Sequence, residues 1–236
     1  FHSIYGNEHF KEQIEKDRIV IKNLIGEKAE NLVYLYNKDR YQNKNLKIIS
    51  LANELDHDYI HVIDNYFDKL DIDAHYFYFR DQISWSFTGS GVDKFKWRKF
   101  EYYLNFNNGV ERYFKKNTQD ILKNMNIYDL LKVERVYASA NPYGTVHDSH
   151  KDYSKELNSK GGITVMYYLN NFWDFKFGGE TVFLDTNTQD IFKSVIPKPG
   201  RVIVFDGNIE HCARDVRRDV NDLRMVLTFK YKISLD

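Results

Sequence analysis

The chain has 236 residues, a mass of 28.2 kDa, 34 acidic and 34 basic residues, and one cysteine. Zero net charge provides no field that would attract nucleic acid or an anionic membrane, and a single cysteine excludes an intrachain disulfide. The sequence has no apolar run long enough to span a membrane and no visible signal peptide. We therefore expect a cytoplasmic protein with no nucleic-acid partner and no membrane.

The N-terminal quarter of the sequence predicts helices. Apolar residues recur at intervals of three and four over residues 8–37, and a second helical stretch covers residues 46–55. We interpret residues 1–58 as a helical N-terminal extension packed on the core, and residues 59–236 as the main domain. The amphipathic helices of the extension could also pair two chains into a homodimer.

The main domain begins with a strand pattern over residues 59–66, and helical spacing predicts a helix over residues 110–131. Between them, residues 84–91 form a polar stretch with glycines and bulky aromatics, which fits either a lid or a hairpin connection. Helices followed by antiparallel strands predict an α+β, mainly β protein whose sheets form a sandwich or barrel. The further predicted strands are residues 133–140, 163–169, 181–184, 191–196, 201–205 and 225–233.

Three potential metal ligands lie in this strand-rich part. His150 and Asp152 form an H-x-D pair, and His211 follows in a predicted turn near the end of the chain. Because an i, i+2 pair on an extended segment projects both side chains to one side, the pair can share one metal ion. Two imidazoles and one carboxylate on one face of octahedral Fe(II) leave three positions free. Arg224, thirteen residues after His211, has a permanent charge and forked donors suited to a dicarboxylic cosubstrate.

The order of motifs resembles the prolyl-4-hydroxylase-like group of 2-oxoglutarate/Fe(II) dioxygenases. That group has H-x-D, a Y-Y-L-N strand, G-G-E-T-x-F, P-x-x-G-R before an apolar strand, a second histidine, and a basic residue on the last strand. The corresponding elements here, all within residues 132–233, are His150/Asp152, residues 167–170, 178–183 and 197–205, His211 and Arg224. The resemblance implies a double-stranded β-helix, or jelly-roll barrel, in which His150, Asp152 and His211 hold Fe(II). It also implies 2-oxoglutarate and O₂ as cosubstrates and ascorbate as the reductant.

The resemblance further implies which residues contact 2-oxoglutarate. Its keto acid end would chelate the metal, and its far carboxylate would be held by Arg224 and Tyr167, with plain core packing as the alternative for Tyr167. Many relatives have a tyrosine three residues before the H-x-D histidine, where this chain has His147. We expect His147 to neighbour the metal or the cosubstrate, and Asn141 or Tyr143 to substitute for the missing tyrosine contact.

Three other arginines compete with Arg224 for the dicarboxylate, and Arg224 is favoured by its position. Alternation along the last strand places it on the face that points into the barrel, where an anionic ligand offsets the cost of burying its charge. The competing arginines are Arg201, Arg217 and Arg218.

The implied activity is hydroxylation of an unactivated C–H bond, coupled to conversion of 2-oxoglutarate and O₂ into succinate and CO₂. The motif resemblance favours a prolyl-hydroxylase-like enzyme that acts on a peptide or protein. Two alternatives stay open: an oxygenase of a small-molecule biosynthetic substrate, and an inactive metal-binding barrel that serves as an interaction module.

Overall fold

The computed structural model describes residues 59–88, 99–145, 147–153 and 161–234. The helices predicted over residues 8–55, the extension over residues 1–58 and pairing through it lie outside the described residues, so they stay predictions. Within the described residues, no helix combines the length and apolarity that crossing a membrane requires.

The described residues form two antiparallel sheets. The larger, the major sheet, has the strand order β1-β8-β5-β10-β4-β3-β2, and the minor sheet has the order β7-β6-β9. The strands are β1 (Ile60–Ile63), β2 (Ser86–Thr88), β3 (Lys99–Tyr103), β4 (Leu131–Asn141), β5 (Gly162–Tyr168), β6 (Thr181–Leu184), β7 (Ile191–Val195), β8 (Val202–Asp206), β9 (Glu210–Ala213) and β10 (Arg224–Ile233). This arrangement confirms a mainly β protein, consistent with a jelly-roll, double-stranded β-helix fold.

Part of the core consists of side chains from strands of both sheets. Alternate residues of β5, β8 and β10 meet residues of β6 and β7, as the two-residue period of a strand requires. Burying a large apolar side chain contributes about 1.5–3 kcal/mol, so this layer is a main source of stability. Its members are Ile60, Met166, Tyr168, Phe183, Val195, Ile203, Phe205, Ile209 and Val226.

The opposite face of the major sheet packs against helix α2 (Gly109–Asn124), which follows the shorter helix α1 (Lys69–Phe77). Asn108 caps α2 by accepting a hydrogen bond from the backbone N–H of Glu111 at 2.9 Å. Phe114 lies 5.1 Å, centroid to centroid, from the ring of Tyr167 on β5. The buried residues of α2 recur at helical spacing, so they form one buried face that packs on the sheet.

The structure corrects two predicted elements. The helix predicted over residues 110–131 ends at Asn124, because Asn126 adopts φ of 55° and terminates it. A 3₁₀ turn, Tyr128–Leu130, then leads directly into β4. The stretch near residue 86 is a strand, because β2 pairs with β3, and neither that pairing nor α1 was predicted.

A buried carboxylate joins α2 to the strand before it. Glu111 has no exposed surface. Its Oε1 accepts hydrogen bonds from Tyr102 at 2.7 Å and Tyr78 at 3.0 Å. Its Oε2 accepts from the backbone N–H groups of Asn105 at 3.0 Å and Phe106 at 2.6 Å. The network holds the turn between β3 and α2, so the carboxylate orders several backbone and side-chain donors at once.

We expect Glu111→Ala to lower the free energy of unfolding by about 3 kcal/mol, because it leaves several buried donors without an acceptor. Urea denaturation followed by tryptophan fluorescence measures the change. Asp81→Asn, at a half-exposed acidic residue, is the matched control and should change stability little. A loss below about 1 kcal/mol for Glu111→Ala contradicts this account.

The same carboxylate contributes a pH dependence of known sign. Burial alone would raise the pKa of Glu111, but hydrogen bonds from Tyr102, Asn108 and the backbone of Phe106 outweigh burial, so the pKa lies below its usual 4.5. Because the unfolded state binds the proton more tightly, this stability is present above pH 4.5 and is lost as the pH falls through the folded-state pKa. Glu111→Gln should flatten that part of the acid-unfolding profile.

Candidate metal centre

A backbone pairing brings the two candidate histidines together. His150 and His211 form an isolated antiparallel bridge, with N–H to carbonyl distances of 3.0 and 2.9 Å in the two directions. Their ring centroids lie 4.6 Å apart. His211 belongs to β9, not to the turn predicted for it, and this difference allows the strand-like pairing with His150.

Asp152 completes the group. Its Oδ1 lies 3.5 Å from Nε2 of His150, and its Oδ2 lies 3.8 Å from Nε2 of His211. One ligand atom from each residue can be chosen so that all three lie within 4.8 Å of one another. The backbone N–H of Tyr153 donates to the carbonyl of Gly207 at 3.1 Å, which holds this segment beside the end of β8.

The protonation state of His211 suits metal binding. Nδ1 of His211 lies 2.9 Å from the carbonyl of Ile209, which fixes this nitrogen as the donor and leaves Nε2 as the acceptor. Burial lowers the pKa of His211 to about 4, so its ring is neutral near pH 7. His150 is more open, with 43% of its side chain exposed. The centre therefore has one buried and one accessible imidazole.

The Asp152 carboxylate is ionised and held from two sides. Thr164 on β5 donates its hydroxyl to Oδ2 at 2.5 Å, and the ammonium of Lys230 on β10 contacts Oδ1. Burial opposes ionisation, but the neighbouring rings of His150 and His211 and the charge of Lys230 outweigh it, so the pKa of Asp152 lies well below its usual range. Two imidazoles and one carboxylate fit a divalent ion such as Fe(II) with open positions.

Arg224 lies deep between the two sheets, at the start of β10. It is 2% exposed, its Nε donates to the Gly179 carbonyl at 2.5 Å, and its Nη2 donates to the Thr181 hydroxyl at 2.8 Å. Because a guanidinium has five N–H donors, these bonds fix its plane without exhausting its capacity. No carboxylate of the described residues lies within salt-bridge distance of Arg224, so an anionic ligand would offset the cost of its buried charge.

The competing arginines have other partners. Arg201 forms a bidentate ion pair with Asp64 at 2.6 and 3.0 Å, and Arg217 forms one with Asp219 at 3.1 and 2.7 Å. Arg218 is exposed in the loop before β10. Of the four arginines, Arg224 is the buried one.

Two residues of the predicted motifs position Arg224. Gly179 has φ of +75°, and a Cβ there would lie 2.9 Å from Cδ of Arg224, so the arginine chain requires glycine beside it. Asn170 accepts from the N–H of Met225 at 2.9 Å and donates to the carbonyl of Leu223 at 2.8 Å. These bonds flank Arg224 and fix its backbone.

Tyr167 lies on the face of β5 opposite to Arg224, so its placement favours the core-packing alternative over a contact with 2-oxoglutarate. It points to the helix side of the major sheet, is 1% exposed, and its hydroxyl lies 2.8 Å from that of Thr118 on α2. The adjacent Tyr168 points to the opposite face, because successive strand residues alternate. The guanidinium carbon of Arg224 lies 5.6 Å from the centroid of the Tyr168 ring, and the Tyr168 hydroxyl lies 2.8 Å from that of Thr181.

The remaining predicted cosubstrate neighbours differ in their positions. Asn141 is 4% exposed and lies directly opposite Arg224 in the β4–β10 pairing. Burial, together with the charges of Arg224, Lys99 and His150, lowers the pKa of His147 to about 3, which places a neutral ring among these groups. Tyr143, in contrast, is 54% exposed. The geometry favours Asn141 and His147 over Tyr143 as neighbours of a ligand at Arg224.

The sequence analysis assigned no role to five residues that surround the centre, although three of them lie in its motifs. Strand alternation from Arg224 could have placed Lys230 on the same face of β10. Alternation around Asp152 does not show which residues contact its carboxylate, because these residues lie on strands far away in sequence. Contacts between elements far apart in sequence are needed to find the rest. The missed residues are Thr164, Tyr168, Asn170, Thr181 and Lys230.

A cavity of about 550 Å³ lies away from this centre. Its wall includes Lys115 and Gln119 of α2 and Phe229 and Tyr231 of β10. Phe229 and Tyr231 alternate with Lys230, so they belong to the other face of the major sheet. The cavity is therefore distinct from the space around His150, Asp152 and His211.

Comparison with known families gives two matches. The model of the 2OG-Fe(II) oxygenase superfamily matches residues 137–231, which contain the three candidate ligands and Arg224. A model of a domain of unknown function, DUF6817, matches residues 1–40. A search of curated proteins by sequence gave no match.

Solved structures share the fold at low sequence identity. A Pseudomonas putida prolyl-4-hydroxylase is 14% identical, with a TM-score of 0.60, over 79% of this chain and 97% of that chain. A Trichoplax adhaerens prolyl hydroxylase, solved with a hypoxia inducible factor peptide, is 15% identical with a TM-score of 0.59 over 80% and 90%. SnoN, a non-heme alpha ketoglutarate dependent epimerase from nogalamycin biosynthesis, is 12% identical with a TM-score of 0.56 over 80% and 84%.

The family match and the fold agree with the presence of His150, Asp152 and His211 as a group of potential metal ligands. Fe(II) and 2-oxoglutarate are accordingly the cofactors that the family and the His-Asp-His group support. Residues 137–231 therefore match the model of the 2OG-Fe(II) oxygenase superfamily, and the chain shares its fold with prolyl hydroxylases and with SnoN.

Proposed function

We propose that the chain is a 2-oxoglutarate- and Fe(II)-dependent hydroxylase that acts on an unactivated C–H bond of a peptide or protein, in the manner of a prolyl hydroxylase. The single observation that carries this proposal is the meeting of His150, Asp152 and His211, with ligand atoms within 4.8 Å, beside a buried arginine. When bound, Fe(II) and 2-oxoglutarate supply the oxidation by O₂, which leaves succinate and CO₂.

Each candidate ligand has a distinct task. His211, whose Nδ1 is fixed by the Ile209 carbonyl, presents Nε2 from a buried and rigid strand. Asp152 supplies the negative charge, and Thr164 and Lys230 orient its two oxygens. His150 supplies the second imidazole from the more accessible side. Such outer hydrogen bonds fix ligand geometry and tune the metal.

Arg224 holds the far carboxylate of 2-oxoglutarate. Its guanidinium is already oriented by Gly179 and Thr181, so little side-chain freedom is lost on binding. Asn141 and His147 are the further neighbours of this anion, and Tyr168 takes the position beside the arginine that the resemblance gave to Tyr167.

The substrate class is supported by the relatives in unequal ways. Two of the structural relatives described above are prolyl hydroxylases, one of them solved with a peptide, which favours a peptide or protein substrate. SnoN is an epimerase of a small-molecule pathway, and this relative keeps a small-molecule substrate as the second candidate. An inactive binding module is disfavoured, because the complete ligand set and Arg224 are all present.

The direct test is succinate formation. The purified protein with Fe(II), 2-oxoglutarate, O₂ and ascorbate should form succinate, and a peptide and metabolite panel should contain a species that gains one oxygen only when 2-oxoglutarate is present. Mass spectrometry follows both products. Absence of succinate above the level of an Asp152→Ala sample contradicts the proposed function.

Metal binding provides a test that does not depend on turnover. Asp152→Ala should weaken Mn(II) or Fe(II) binding by more than about 100-fold, because losing an outer-shell partner alone typically costs 10–100-fold. Anaerobic titration calorimetry measures the affinity. Asp148→Ala removes an exposed carboxylate four residues away, and the metal affinity of this control should stay that of the wild type.

The arginine assignment predicts a selective loss of cosubstrate affinity. Arg224→Ala should raise the Kd for 2-oxoglutarate by more than about tenfold, since it removes charge-assisted hydrogen bonds to a carboxylate. Metal affinity should be unchanged. Arg224→Lys keeps the charge but loses the forked donors, so it provides a second variant in case Arg224→Ala does not fold. Arg217→Ala, at the exposed ion pair with Asp219, is the control. Unchanged 2-oxoglutarate affinity in both Arg224 variants shows that the assignment is wrong.

The two adjacent tyrosines should behave differently. Tyr167→Phe breaks the hydroxyl contact with Thr118 and should cost about 1 kcal/mol of stability without changing the Kd for 2-oxoglutarate. Tyr168→Phe should weaken 2-oxoglutarate binding, because its hydroxyl lies in the network of Thr181 and Arg224. Titration calorimetry on both metal-loaded variants measures the Kd for 2-oxoglutarate. Weaker binding in Tyr167→Phe with unchanged binding in Tyr168→Phe would place Tyr167 at the cosubstrate site.

A further inference from the structure

One face of the major sheet continues outward from the metal centre as a surface rich in cations and aromatic rings. We call it the cationic wall and define it as Lys99, Tyr103, Arg135, Tyr137 and Lys230. Its residues lie on adjacent strands, because β10 pairs with β4 and β4 pairs with β3. Lys230 lies directly opposite Arg135, and Tyr137 lies directly opposite Tyr103.

The ring of Tyr137 is the centre of the wall. The guanidinium carbon of Arg135 lies 4.3 Å from its centroid, Nζ of Lys230 lies 5.7 Å away, and Nζ of Lys99 lies 6.0 Å away. Arg135 also donates to the Tyr103 hydroxyl at 2.8 Å. Three cations around one ring form a compact positive surface, held by cation–π contacts and a hydrogen bond.

This surface is continuous with the candidate metal centre. The ammonium of Lys230 contacts both the Tyr137 ring and the carboxylate of Asp152. At the other end the wall opens to solvent, since Tyr103 is 55% exposed and the side chain of Arg135 is 42% exposed.

Two carboxylates of the described residues contact the cations of the wall. Glu101 lies 2.8 Å from Lys99 and 3.6 Å from Arg135, and Asp152 contacts Lys230. Asp152 is a metal ligand in the proposed function, where its charge is shared with a divalent cation. The ammonium of Lys230, whose side chain is 13% exposed, would then lie beside the divalent cation. An anionic group is the partner that offsets such a cost.

We propose that the substrate carries a carboxylate and that Arg135 and Lys230 bind it, with Tyr137 packing against the adjoining part of the molecule. This inference rests on the proposed function and specifies its substrate class. A planar carboxylate matches the guanidinium fork of Arg135, and Lys230 adds a point charge next to the reacting position. The carboxylate belongs either to an acidic residue beside the oxidised residue of a peptide or to a free carboxylic acid.

The test uses binding to the full chain loaded with Zn(II) and 2-oxoglutarate, because zinc has no redox chemistry and allows no turnover. The peptide probes are a blocked tetrapeptide with proline followed by glutamate and its glutamine counterpart. The small-molecule probes are N-acetylproline and its amide. Ligand-observed NMR gives the affinity of each probe, so the two pairs separate a peptide source from a free acid.

In at least one pair we expect the carboxylate to bind about tenfold more tightly than its neutral counterpart, as charge-assisted contacts in a partly buried site predict. Arg135→Gln should reduce that ratio to about twofold or less while Zn(II) and 2-oxoglutarate affinities stay unchanged. Arg218→Gln, at an exposed arginine before β10, is the matched control and should keep the wild-type ratio.

Three outcomes overturn the inference. Equal binding within both probe pairs, or no binding of any probe, shows that the wall does not select carboxylates. A preference that survives in Arg135→Gln shows that another surface selects them. If 2-oxoglutarate itself fails to bind the zinc-loaded chain, the proposed function fails together with the inference, whereas normal 2-oxoglutarate binding with no carboxylate preference overturns the inference alone.

Discussion

The backbone bridge between His150 and His211 is the constraint on which the rest of the site depends. Sixty residues lie between the two histidines, yet reciprocal hydrogen bonds of 3.0 and 2.9 Å hold their backbones together, and their ring centroids lie 4.6 Å apart. Because β9 also pairs with β6, His211 is fixed by the minor sheet, and the bridge transfers that rigidity to the H-x-D segment. Asp152 lies two residues after His150, and its side chain points to the same site. The backbone pairing therefore brings together three ligands that a local sequence motif alone could not bring together.

Strand β10 connects the three parts of the site along one face. Arg224 at its start lies between the sheets, and Lys230, six residues later, contacts Asp152 and faces Arg135. The other face of the same strand packs Phe229 against Tyr167 under helix α2. Two-residue alternation thus places the site residues on one face of β10 and the residues that pack under the helix on the other. A register shift of one residue would exchange the two faces. Asn170, bonded on both sides of Arg224, fixes that register.

The sequence was informative where a signal is local and less so where contacts join distant elements. Alternating apolar residues predicted most strands of the two sheets to within a residue or two, and motif order singled out the three residues that the structure brings together. At Tyr167 the structure favours the core-packing alternative, because strand alternation sends Tyr167 to the helix side of the sheet and leaves the neighbouring Tyr168 beside Arg224. The helix over residues 110–131 was overextended, because the apolar residues after Asn126 continue a helical spacing that its left-handed backbone interrupts. Lys230 and Thr164 became visible only when β5 and β10 were placed beside Asp152.

The central claim is that three side chains share one ferrous ion, and anaerobic diffraction from crystals soaked with Fe(II) tests it most directly. We expect an anomalous peak bonded to Nε2 of His150, an oxygen of Asp152 and Nε2 of His211, each at about 2.0–2.2 Å, the range for nitrogen and oxygen ligands of a divalent metal. A peak elsewhere in the molecule, or none at these residues under saturating Fe(II), would contradict the account.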